Sequence, residues 1–390
     1  MSANIAIVSA AANLLAALLK KQADSDSAKE AGAAPAAAPE PVPVSLPGRH
    51  LLGQFSTRNE SFFKHILEID ALVHHYVARP SVRKPLCFLI SAPPGSGKSF
   101  LVKQLLARKA SGGTSVPFLE LNVANASSPA ELDPVWSFVR TMEANRITPC
   151  VFFDEIDVKV GDRYILKDLI MPMYDGAVFY QGAKLSLGPV IFVFAGSKLF
   201  EPPEGDNPLA ETGTSEKKMS PTQFSVSFDR WRVAKEKRIR AIGTQPSQQA
   251  RKSRAGDASG ASEIENVPKI RDFLDRIDRC IVFPDPDVMF DGMTADVKEL
   301  ENVDLVLGVI HMHFPHIIAV EPAAAWALAK PLIGASSKRA AERLVFTSSP
   351  SATATVLKFS DIPPDARTLI SSEERSRYDK TFSGKTFKAE

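Results

Sequence analysis

Residues 92–99 read Ala-Pro-Pro-Gly-Ser-Gly-Lys-Ser, set between the apolar run Leu86-Cys-Phe-Leu-Ile90 and the helically spaced stretch Phe100-Leu-Val-Lys-Gln-Leu-Leu106. A strand that stops in a glycine-bearing turn and restarts as a helix constrains the fold more than any other feature of this chain. Gly95 and Gly97 let backbone N–H groups turn toward phosphate oxygens, and the following helix presents its positive N-terminus to them. In such a loop Lys98 reaches the β- and γ-phosphates and the Ser99 hydroxyl ligates Mg²⁺. Pro94, Gly95, Ser96, Gly97, Lys98, Ser99 and Phe100 therefore form the expected cofactor-binding segment. Its first position is Ala92 where glycine is usual, a strand exit at which a small residue suffices.

A second run, Val151-Phe-Phe-Asp-Glu-Ile-Asp157, is an apolar strand ending in carboxylates. Asp154 is placed to hold Mg²⁺ through water, with Ser99 the other metal-binding candidate, and Glu155 to polarise the attacking water. The two runs together point to a nucleoside triphosphate with Mg²⁺ and to its hydrolysis.

The rest of the chain sets the frame. Lys and Arg number 47 against 45 Asp and Glu, so global charge points to no polyanionic partner. Cys87, Cys150 and Cys280 lie in or beside apolar runs without metal-ligand spacing, and read as reduced core thiols of a cytoplasmic protein. Residues 1–21 carry an apolar helix, Ile5–Leu19, interrupted only by Ser9 and Asn13 and followed by Lys20-Lys21. Charge after the apolar core, not before it, argues against a secretory signal. Residues 5–19 are read as docking to a partner or peripherally to a membrane. Residues 22–48 are Ala/Pro-rich and are expected to be a semi-extended linker.

Apolar runs then alternate with helical stretches: 86–90, 117–123, 150–153 and 189–195 as strands, with helices near 59–77, 100–106, 130–145 and 164–174. That alternation predicts a parallel sheet covered on both faces, a three-layer αβα fold. Gln181-Gly182 between short runs in 175–188 predicts a β-hairpin. Residues 201–266 lose periodicity and read as a mostly flexible basic insertion, with a short basic helix over 228–240. Residues 228–254 are a candidate nucleic-acid contact, with Phe228 and Trp231 available to stack on bases.

The order of these elements resembles the AAA+ ATPases over roughly 49–346. The resemblance implies a P-loop NTPase domain with a five-stranded parallel core sheet over 49–290, a small all-α lid over 291–346 and a C-terminal tail over 347–390. Leu51-Leu-Gly-Gln54 is similar to the family element that lies against adenine, making Gly53 and Gln54 binding residues. The strand Pro189–Ser197 looks like the one ending in the sensor-1 residue, which makes Ser197 catalytic. Lys269–Arg279 resembles the segment bearing the arginine finger, with Arg276 favoured and Arg271 and Arg279 competing. Arg339-Ala-Ala-Glu-Arg-Leu-Val345 resembles the sensor-2 helix; an alternative alignment puts Ser336 there and leaves sensor 2 absent. The hairpin resembles the pre-sensor hairpin of some branches, while Asn122–Ser128 lacks the pore aromatic of peptide-threading members. His311-Met-His-Phe-Pro-His316 closes a lid helix beside a proline turn and reads as structural rather than metal-binding.

By this resemblance the ligands are ATP and Mg²⁺, the catalytic set is Lys98, Asp154, Glu155, Ser197, Arg276 and Arg339, and the chain self-assembles into a ring, a hexamer. The expected activity is a motor that remodels a protein client. A nucleotide-switched scaffold and a DNA-acting motor are the competing readings.

Overall fold

The computed structural model describes residues 42–44, 46, 48–79, 84–93, 95–107, 116–160, 163–180, 182–196, 226–242, 269–284, 288, 290, 291, 293, 295–332 and 338–389. The N-terminal apolar stretch at 5–19, Pro94, Ser197, Ser336 and most of the insertion lie outside them.

Strand β1 (Val42–Val44) precedes a hairpin of β2 (His50–Leu52) and β3 (Phe55–Thr57). Helix α1 (Glu60–Val77) starts where the Asn59 side chain accepts the Phe62 N–H, and buries Phe62, Ile66, Ile69 and Val73. Next come β4 (Leu86–Ser91), α2 (Lys98–Ala107), β5 (Phe118–Asn122), α3 (Asp133–Ala144) and β6 (Cys150–Asp154). A short ribbon of β7 (Lys159–Val160) and β8 (Arg163–Tyr164) leads to α4 (Leu166–Asp175), which stops at Gly176 in a left-handed conformation. The hairpin β9 (Ala177–Tyr180) and β10 (Ala183–Ser186) then precedes β11 (Ile191–Gly196). Helix α5 (Phe228–Ala241), α6 (Ile270–Leu274) and β12 (Arg279–Val282) complete the first unit.

Five of these strands form one sheet in the order β12-β4-β11-β6-β5, every pair parallel. Every residue of β4 and of β11 is buried, as expected of strands covered on both faces. Aromatic rings fill the space beneath the helices: Phe153 stacks on Phe194 at 5.3 Å, and Phe194 meets Phe273 of α6 edge-on at 5.0 Å. The three-layer αβα P-loop NTPase architecture expected from the alternation is the one observed.

A second core follows. It contains α7 (Ala295–His313), β13 (Ala319–Val320), α8 (Pro322–Ala329), α9 (Lys338–Phe346), β14 (Val356–Leu357), α10 (Pro364–Thr368), α11 (Ser372–Thr381) and β15 (Lys385–Lys388). All eight residues of α8 are buried, and Trp326 at its centre stacks on Tyr378 (5.2 Å) and Phe382 (5.7 Å). This unit corrects the expectation of an all-α lid ending at 346. It carries a four-stranded mixed sheet, β1-β15-β13-β14, and residues 347–389 supply core residues such as Leu357, Tyr378 and Phe387 rather than a tail. Strands two to four residues long show no readable alternation, which is why sequence patterning passed over them.

Two further expectations change. The Ala/Pro-rich linker ends inside this second unit: β1 pairs in parallel with β15, and Leu46 is buried in the same core. In the insertion, α5 is the basic helix expected at 228–240, yet Phe228, Trp231, Lys235 and Ile239 are buried. Phe228 packs edge-on against Phe62 (5.5 Å) and Phe290 (5.3 Å), so neither aromatic is available to stack on bases. Among the described residues, no helix is long and apolar enough to cross a membrane.

Candidate nucleotide site

The loop between β4 and α2 is shaped by its glycines. Gly95 and Gly97 have φ of +74° and +85°, a region costly for side-chain-bearing residues. At Gly97 an added Cβ would meet nothing within 4 Å, so backbone conformation alone demands glycine there. Ala92 is 1% exposed at the strand exit, where its small side chain fits without strain. The Ser96 N–H donates to the Pro93 carbonyl (3.3 Å) and the Leu101 N–H to the Gly97 carbonyl (2.9 Å). The first amides of a helix have no intrahelical carbonyl partner, which leaves those of Lys98 and Ser99 at the start of α2 suited to receive an anion. The Ser96 hydroxyl is buried without a hydrogen-bond partner among the described residues. A loop of turned amides with an orphaned hydroxyl suits a multi-oxygen anion.

The carboxylates reach the same place from β6. β11 lies between β4 and β6, with Gly196 level with Ser91 and Phe194 level with Phe153, so loop and carboxylates leave the same C-terminal edge of the sheet. The turn after β6 is laced to β11 by the Ile156 N–H donating to the Ala195 carbonyl (3.0 Å). Glu155 occupies a left-handed conformation (φ +54°), and its N–H donates to Asp154 Oδ1 (3.1 Å). Burial pushes the half-buried Asp154 carboxyl above the ordinary carboxylate range, the Lys98 ammonium pulls it back, and Glu155 and Glu120 push it up. Lys98 and Asp154 are thus electrostatic neighbours, and a cation held between Asp154 and Ser99 would relieve the burial cost.

A cavity of about 470 Å³ extends from this loop. Ser96, Gly97 and Phe100 floor it, the β2–β3 hairpin (Gln54 to Thr57) walls one side, and α7 closes the other with Glu301, Leu305, Gly308 and Met312. The hairpin turns at Gly53 (φ +61°), and the Gln54 N–H donates to Gln104 Oε1 on α2 (2.8 Å), tying the turn to the loop's own helix. Its far end is held to α7: Thr57 Oγ1 and the Arg58 N–H both donate to Glu301 Oε1 (3.1 and 2.9 Å).

Of the residues expected at the site, Gln54, Ser96, Gly97 and Phe100 line the cavity, while Lys98 and Ser99 open α2 behind the loop and Asp154 ends β6 at the same edge of the sheet. Arg276 stands apart from this cavity: its guanidinium lies over the Tyr174 ring (5.1 Å) and donates to the Asp272 carbonyl. Arg271 and Arg279 are exposed. Arg339 falls on α9, with its side chain outside the described residues, and β11 ends at Gly196, one residue before Ser197. Sequence reasoning missed Gln104, Thr57 and the α7 wall. A usable signal was present on α7: Lys298, Glu301, Leu305, Gly308 and Met312 recur at spacings of three and four, with a glycine in mid-helix where a ligand needs room.

The family model for the ATPase family associated with various cellular activities (AAA) matches residues 88–205, from β4 past the end of β11. No curated protein matches the chain. The matched span covers the phosphate loop and the acidic strand on a sheet of the expected order, and residues 88–205 accordingly form part of an AAA-type ATPase domain.

Proposed function

We propose that the cavity takes ATP with Mg²⁺, that the chain hydrolyses it, and that hydrolysis in a homo-oligomeric ring remodels a protein client. The observation that carries this reading is that the phosphate loop and the carboxylate end of β6 leave the same edge of the sheet, beside a cavity lined by Ser96, Gly97 and Phe100. Turned amides of residues 95–99 and the Lys98 ammonium bind and orient the triphosphate. Ser99 and Asp154 would hold Mg²⁺, which supplies charge neutralisation on the phosphate oxygens. Glu155 accepts the proton of the attacking water, a role worth about 10²- to 10⁴-fold in rate. The Gly53-Gln54 turn and the α7 face with Gly308 enclose the base.

The arginine would come from a neighbouring subunit. Arg276 is placed away from its own chain's cavity and half-buried against the exposed Tyr174 ring, which suits a group serving another site. An arginine in this role is worth about 10³- to 10⁵-fold. The DNA-acting alternative is weakened by the burial of Phe228 and Trp231 in α5. A scaffold with little turnover stays as an outcome of the test.

Mixing variants tests the assembly. Glu155→Gln and Arg276→Ala should each abolish turnover alone and regain part of it when mixed, because some interfaces then pair an intact Glu155 with an intact Arg276. Wild-type turnover by Arg276→Ala alone would remove that residue from the proposal, and nucleotide binding without turnover in the wild type would favour the scaffold.

A further inference from the structure

The nucleotide cavity is closed by two pieces of different parentage, the β2–β3 hairpin and helix α7, and one buried carboxylate joins them at both ends of the hairpin. Arg49 directly precedes β2 and Arg58 directly follows β3. Both guanidiniums face Asp304 of α7: Arg58 donates through Nε at 2.7 Å and Nη2 at 3.3 Å, and Arg49 Nε lies at 3.5 Å. The side chains of Arg49, Arg58 and Asp304 are 7%, 4% and 3% exposed. Glu301, one turn earlier on α7, adds the contacts from Thr57 and the Arg58 N–H. Upstream, β1 is already a strand of the second unit's sheet and Leu46 sits in its core. The chain thus leaves the second unit at 46, crosses the cavity as the hairpin, and joins the nucleotide-binding domain at α1.

We propose that Asp304 is a positioning residue of the nucleotide site, fastening both ends of the β2–β3 hairpin to α7 so that hairpin and α7 together keep the cavity's two walls in place for the nucleotide. This rests on the nucleotide reading of the cavity. Three buried charges are tolerable only while they stay together, because separating them leaves ions stripped of water without compensation. The arrangement therefore holds the two ends of the hairpin to α7, while its turn is tied to α2 through Gln54 and Gln104.

The test uses the full chain with Asp304→Asn, which keeps the volume and removes the charge, Asp304→Glu as the conservative rescue, and Thr57→Val, which removes the hydroxyl donated to Glu301. Two quantities are read: KM and kcat for Mg-ATP, and amide hydrogen exchange of residues 50–57 without nucleotide. Asp304→Asn should raise KM about tenfold or more while kcat falls less than about twofold, and should speed hairpin exchange. Asp304→Glu should recover part of both, and Thr57→Val should shift them in the same direction by less. An unchanged KM, or a kcat loss at unchanged KM, overturns the proposal, as does unaltered hairpin exchange. Should Asp304→Asn not fold, Arg49→Met, which removes the longer of the two arginine contacts to Asp304, decides by the same two readings. If the wild type binds no nucleotide, the reading of the cavity fails, while exchange measured without nucleotide still decides whether Asp304 holds the hairpin.

Discussion

Gly53→Ala probes the base-side wall at a single atom. Gly53 has φ +61°, a conformation that costs an L-residue about 1–2 kcal/mol. The new Cβ would also run into Gln104 Oε1, the acceptor of the Gln54 N–H. Gln104 is long and can swing aside, but doing so gives up that hydrogen bond, about 1 kcal/mol. Together the two terms come to about 2–3 kcal/mol, a roughly 30- to 150-fold fall in the equilibrium constant for the ordered turn. Because Gln54 lines the cavity, nucleotide affinity should fall by up to the same factor, reached when the turn is ordered only by the bound nucleotide, read by calorimetric titration on the full chain. Gln104→Ala alone loses only the hydrogen bond and should weaken binding about fivefold. Adding Gly53→Ala to Gln104→Ala should then cost only the backbone term, about tenfold, since nothing remains for the Cβ to displace. Wild-type affinity in Gly53→Ala would refute the placement of this turn against the nucleotide. Full additivity in the double variant would refute the contact with Gln104.

Three further outcomes are expected. Burial holds the Asp154 carboxyl above its ordinary range, so its ionised form costs the fold stability at neutral pH and the cost fades as pH falls through the raised value. Nucleotide-free Asp154→Asn should therefore melt above the wild type at pH 7, with the gap closing on acidification; a lower melting point at pH 7 contradicts this. Glu374 has the opposite sign: burial pushes its carboxyl up, but the Ser371 N–H, Lys330 (3.0 Å) and the Ser371 hydroxyl together hold it below the ordinary value. Its stabilisation is complete above the unfolded value and lost as pH falls through the lowered one. Glu374→Gln should thus destabilise the second unit at pH 7, with the gap from the wild type closing only as pH falls through the lowered value in thermal melts. Trp326→Ala empties the centre of the second core and should cost about 3–5 kcal/mol in urea unfolding. A loss below about 1 kcal/mol would mean that α8 is not packed as described.

What could be read in the sequence was local chemistry. Gly95, Gly97 and Lys98 announce their conformations through residue type, and Asp154-Glu155 ends a run apolar enough to be a central strand. The Gln181-Gly182 hairpin was equally legible: Ala183 pairs with Tyr180, leaving a two-residue turn, and Gly182 takes φ +79°. Long-range pairing left no such mark. Nothing in Val42-Pro-Val44 signals that it lies beside Lys385-Thr-Phe387. On α5 composition hid structure, because its many Lys and Arg obscure the stripe of Phe228, Trp231, Lys235 and Ile239. Lys235 joins that stripe by laying its stem inward and its ammonium over the Trp231 ring at 5.0 Å. The burial of Glu301 against the Thr57 hydroxyl and Arg58 N–H, and of Asp304 against Arg49 and Arg58, joins residues 243 or more positions apart and leaves no local mark in the sequence.

Steady-state ATP turnover measured beside nucleotide binding, for the wild type, Lys98→Ala and Glu155→Gln, tests the central claim most directly. The expected result is turnover in the wild type, loss of both binding and turnover in Lys98→Ala, and in Glu155→Gln retained binding with turnover reduced by about 10²-fold or more. Equal turnover in the wild type and Glu155→Gln would contradict the account.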